Sequence, residues 1–74
     1  LGLINYRERN YREAKRNFTL AIENNYSFAY YYRGLTKLGL KESPCFDMIK
    51  ASDKGINAAI KWMDKNKKKY NCFL

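Results

Sequence analysis

The stretch NYREAKRNFTLAIENN, Asn10 to Asn25, decides the reading of this chain. Tyr11, Ala14, Phe18, Ala21 and Ile22 recur at steps of three and four, which places them on one face of an α-helix. Asn10 stands where an N-cap belongs, and Glu13 is placed to reach back to it as in a capping box. Asn24 and Asn25 supply the stop. Downstream, Ser27 is the next N-cap candidate. Phe28, Tyr31, Tyr32, Leu35 and Leu38 then keep helical spacing up to Gly39, near the place where a left-handed residue ends many helices. Ser43-Pro44 opens a short helix, with serine as the cap and proline at the first helical position. Met48, Ile49 and Ala51 turn inward there, and Gly55 closes it. A final helix starts near Ile56 or Asn57, with Ile56, Ile60, Met63 and Tyr70 along one face and Ala59 and Trp62 beside it. Upstream, Leu1 to Glu8 reads as the tail of a further helix.

Five helical segments joined by turns of two to four residues imply antiparallel neighbours. No segment alternates with period two, and the one proline lies at a helix start, so the fold class is all-α. With 74 residues the chain holds one domain at most and a thin core. Two cysteines, Cys45 and Cys72, are too few for a disulfide framework. A single bridge between them stays open, but two unpaired thiols in a reducing compartment is the plainer reading, and with it a cytoplasmic location. Without histidine or a zinc-like cysteine cluster, no metal or other cofactor is expected. No run approaches the ~20 apolar residues of a membrane span.

The pattern repeats. Gly2 and Gly34 are 32 residues apart, and each opens a unit that continues into a second helix. LGLINYRERNYREAKRNFTLAIE, Leu1 to Glu23, resembles the tetratricopeptide repeat, whose usual period is about 34 residues. Gly2 and Gly34 match the small residue that lets the family's second helix approach its first. Ala14, Phe18 and Ala21 match the small, large and small positions of the helix contact, and Tyr30 matches an aromatic one. The second unit departs from the pattern, with Pro44 for the first alanine and Met48 for the large aromatic. ESPCFDMIKASDKG resembles the last helix pair of such arrays. The resemblance implies antiparallel hairpins stacked as an α-solenoid, with about two units over 1–55 and a capping helix with a basic tail over 56–74. It also implies a repeat ahead of Leu1.

The net charge is +8, from 15 Lys plus Arg against 7 Asp plus Glu, a balance that favours acidic partners. Catalysis has little to work with. Glu8, Glu13, Asp47 and Asp53 read as solvated helix-face carboxylates, and Cys45, near a helix N-terminus, lacks a base. What remains is binding, and the chain is not expected to be an enzyme. In the concave groove that the resemblance implies, Tyr6, Arg7, Tyr31, Tyr32 and Leu35 are the candidate contacts for a protein or peptide, an acidic one among the options. Lys65, Lys67, Lys68 and Lys69 are the candidate anionic contacts of an alternative, RNA-binding reading, with Trp62 or Tyr70 placed to stack on a base. A third reading is a purely structural end-cap of a longer array.

Overall fold

The computed structural model describes residues 2–72, apart from the side chains of Gly2 and Asn5. The packing expected of Gly2 and any repeat ahead of Leu1 therefore lie outside the described residues. Five helices follow one another: α1 (Gly2–Arg7), α2 (Tyr11–Glu23), α3 (Phe28–Gly39), α4 (Cys45–Asp53) and α5 (Asn57–Asn66). No strand occurs among the described residues. Each helix packs chiefly on its chain neighbours, in a body of 29 × 25 × 15 Å.

The turns set that order. Arg9, Asn25, Lys41, Gly55 and Asn71 are left-handed, with φ between 57° and 78°, at successive steps of 16, 16, 14 and 16 residues. At Lys41 the chain makes the two bonds of a Schellman stop. The Lys41 N–H donates to the Leu38 carbonyl at 3.1 Å, and that of Glu42 to Lys37 at 2.7 Å. Asn25, Gly55 and Asn71 end their segments with the same pair of bonds. Gly39, placed at this stop by the sequence, is instead the last residue of α3, two positions short of the left-handed Lys41. Its hydrogen side chain serves packing, since a Cβ there would come within 2.5 Å of the Tyr11 ring.

Other local expectations are corrected as well. Asn10 makes no side-chain cap bond, and Glu13 meets Arg16 at 3.5 Å instead of reaching back. Ser27 is already helical and does not cap α3. Ser43 does accept the Cys45 N–H, at 3.3 Å, with α4 starting one residue after Pro44.

The α2 stripe packs as its spacing demands, with Ala14 and Phe18 buried against Ala29 of α3 and lined by Tyr6, Ala21, Ile22 and Tyr32. A second cluster joins Met48 and Ala51 of α4 to Ile56 and Ala59, with Tyr30, Tyr31, Leu35, Trp62 and Met63 around it. Gly34 matters here, because a Cβ on it would meet the Met48 side chain at 2.9 Å. The face of α5 is rotated from the expected one. Ala59 is buried, Ile60 is turned to solvent, and Tyr70 lies beyond the helix end. In α3, Phe28 likewise faces out while its small neighbour Ala29 fills the core.

The largest corrections concern charge and sulfur. Asp47 is fully buried rather than solvated. Arg33 holds it with two bonds of 2.7 and 2.9 Å, and the Lys37 ammonium sits 3.0 Å away. Arg33 also donates to the Thr19 hydroxyl, which in turn donates to the Lys15 carbonyl. One carboxylate thus ties α2, α3 and α4 together. Cys45 and Cys72 are a disulfide, not two free thiols, with Cα atoms 4.9 Å apart. The bridge pins the tail after α5 to the start of α4 and removes Cys45 as a nucleophile.

Candidate interaction surface

The sequence-predicted groove residues are gathered on α1 and α3, largely as packing groups. The Tyr6 ring leans on Tyr11 at 5.8 Å. Tyr31 meets Tyr32 edge to face at 5.4 Å, and Tyr32 stacks on Phe18 at 5.6 Å. All three rings are half-buried, as is Leu35, which helps cover the Met48 cluster. Arg7 is exposed and makes no ion pair among the described residues. Burial raises the Tyr6 phenol above its ordinary pKa, with Tyr11 and Tyr31 adding to the effect. The Arg33 guanidinium is pushed further up, first by its hydrogen bond to Asp47.

The basic run lies at the other end of the chain. Lys65 is in the last turn of α5, and Lys67, Lys68 and Lys69 follow in the turns that lead to Cys72. All four are exposed. Lys69 sits over the Tyr70 ring at 5.4 Å, and Tyr70 stacks on Trp62 at 5.6 Å. Trp62 and Tyr70 are thus stacked on each other, and both rings are half-buried.

A more open surface was not legible as a site. Between α1 and α2 lies an apolar groove of about 570 Å³, lined by Leu3, Phe18, Leu20, Ala21 and Tyr26 with Asn17 and Asn24 at its edges. Leu3, Leu20 and Tyr26 are 45%, 52% and 57% exposed. The one signal for it in the sequence is Leu20, an apolar residue two positions from Phe18 and off the buried stripe of α2.

The other hairpin shows what covers such a surface. Asn17, Leu20, Ala21 and Asn24 form one stripe of α2, and Asp47, Lys50, Ala51 and Lys54 stand thirty residues later on α4. There the first half of α3 lies across the stripe. Arg33 engages Asp47, and the Tyr30 ring lies 5.9 Å from the Lys54 ammonium. Asp47 and Ala51 are fully buried there, their α2 counterparts Asn17 and Ala21 are half-buried, and Leu20 and its counterpart Lys50 are both exposed.

Among the described residues no three His, Cys, Asp or Glu side chains are grouped to hold a metal ion. Among the same residues no helix is long and apolar enough to cross a membrane. No family model, curated protein or solved structure matches the chain.

Proposed function

We propose that this chain is a protein-interaction module of stacked helix hairpins, of the tetratricopeptide kind, whose partner lays a short helix in the groove between α1 and α2. One observation carries the reading: Leu20, on an α2 stripe bounded by Asn17 and Asn24, stands 52% exposed in an apolar groove beside Leu3 and Tyr26. The groove continues the existing α1–α2 contact through Leu3, Phe18 and Ala21. Completing the burial of Leu20, which is 52% exposed, is worth about 1 kcal/mol, so a second apolar side chain must join it to anchor a peptide.

The regular left-handed stops and the contact of Gly34 with Met48 support the hairpin repeat. Tyr6 and Tyr32, packed on the Phe18 cluster, then back the seat, and Arg7 is a rim charge for an acidic partner. The partner helix resembles the first half of α3, with one change. An arginine that suits Asp47 has no counter-charge at Asn17, so an apolar residue belongs in its place.

The disulfide favours an oxidising compartment over the cytoplasm, since such bonds are rare among reducing thiols.

The test is calorimetric titration with a synthetic helical peptide copying residues 27–39 and carrying Arg33→Leu. Binding that is abolished by Leu20→Asp in the protein, and retained with Lys68→Glu, is the expected result. Binding indifferent to Leu20→Asp removes the groove as the seat.

A further inference from the structure

A second surface starts at Tyr26, which also lines the peptide groove, and runs on from it towards α4. Phe46 and Phe28 are 58% and 52% exposed, and Tyr26 is open beside Phe28 at 6.2 Å between ring centres. Large aromatics on a surface are costly to leave unpartnered, but here they do not merge into an apolar patch. Cations lie between them. Lys50 sits over the Phe46 ring at 5.8 Å, and Lys54 over Tyr30 at 5.9 Å. Tyr26, Tyr30 and Lys54 share a recess of about 240 Å³ with Asn25 and Ser27, which joins the two ends of the strip. Phe46, Lys50 and Lys54 are four residues apart on α4, so they follow one side of that helix for about 12 Å.

Lys50 and Lys54 make no ion pair among the described residues, and Asp53 on the same helix engages neither. The charge is therefore free to meet an external anion. A polyanion with flat, stackable groups between its charges has the matching pattern.

We propose that the strip running through Phe28, Tyr26, Tyr30, Lys54, Lys50 and Phe46 binds a short stretch of single-stranded nucleic acid. Bases stack on Phe28, Tyr26 and Phe46, while Lys54 and Lys50 meet phosphates. A protein partner is the poorer fit, because it would have to bury two lysines along with the rings. Duplex DNA is poorer still, since its bases offer no free face to an aromatic side chain. The alternation of ring and cation gives stacking without base-edge readout, so binding is sequence-tolerant. This site is distinct from Lys65–Lys69, which follow α5 at the far end of the chain.

The experiment is fluorescence anisotropy with a labelled 12-nucleotide oligo-U across a salt series, using the full chain. Parent protein binds, with affinity falling as salt rises at a log–log slope of about −1.4, two phosphates' worth. Phe46→Ala and Tyr26→Ala each weaken binding by about 5- to 150-fold, the range for one stacked base. Both residues are exposed, and thermal melts check that the variants fold like the parent. Lys50→Glu with Lys54→Glu abolishes binding. Three results overturn the proposal: no binding by folded parent, binding indifferent to the aromatic variants but lost with Lys67→Glu and Lys68→Glu, or equal competition by oligo-glutamate, which has charge without rings.

Discussion

The Tyr11 ring occupies the space that a side chain on Gly39 would need: three of its ring carbons lie within 2.7 Å of where that Cβ would stand. An aromatic from the start of α2 thus closes over the last turn of α3, and only glycine permits it. Gly39→Ala gains the helix propensity of alanine, about 0.5–1 kcal/mol, but must displace the ring at a cost of about 1–3 kcal/mol. The net effect is destabilising. With Tyr11→Ala present the clash is gone, and the same Gly39→Ala change becomes stabilising. Urea unfolding of the four proteins in this cycle checks the change of sign.

The buried ion pair makes a second prediction. Asp47→Leu leaves Arg33 and Lys37 facing one another, with only 15% and 18% of their side chains exposed. A loss of about 3–5 kcal/mol follows, close to the whole stability of so small a domain. Adding Arg33→Met and Lys37→Met removes the stranded charges and restores most of it. If the triple variant is no better than the single one, the damage lies in shape and not in charge.

The disulfide closes a loop across 27 positions. Constraining the unfolded chain over that length is worth about 3.5 kcal/mol in the loop-entropy model. Replacing Cys45 and Cys72 with serine lowers the melting temperature accordingly. It also frees the tail, so Tyr70 leaves Trp62 and the tryptophan emission shifts to the red. An unchanged melt contradicts the clasp.

Tyr6 supplies a pH dependence. Burial, then Tyr11 and Tyr31, raise its phenol above the usual value of about 10. The neutral form is favoured in the fold, so this contribution is complete below the unfolded pKa of about 10 and is lost as pH rises through the higher folded value. The urea midpoint falls as pH rises past about 10, and Tyr6→Phe makes that fall shallower. Parallel curves for the two proteins would show that Tyr6 ionises freely.

Helix number, most helix boundaries and the Ala14–Phe18 core were readable because one face of α2 repeats at helical spacing along its whole length. Asp47 was misread for a physical reason. Its partner Arg33 lies 14 residues away on another helix, and both look like ordinary surface charges until the helices pack. In α5, buried Ala59 and exposed Ile60 reverse the hydrophobic ranking, because close packing at that spot selects size over apolarity. The disulfide depends on where the tail folds back, which spacing alone does not determine. The groove is harder still, because Leu20 sits off the buried face of α2 and becomes part of a recess only once Leu3 and Tyr26 are folded beside it.

The central claim is that the α1–α2 groove takes a helix as α4 takes α3. Amide chemical-shift mapping tests it most directly, titrating ¹⁵N-labelled protein with the residue 27–39 peptide carrying Arg33→Leu. The account predicts that shifts concentrate on Asn17, Leu20, Ala21, Asn24 and Tyr26. Shifts confined to Tyr31, Tyr32 and Leu35, or absent at saturating peptide, would contradict it.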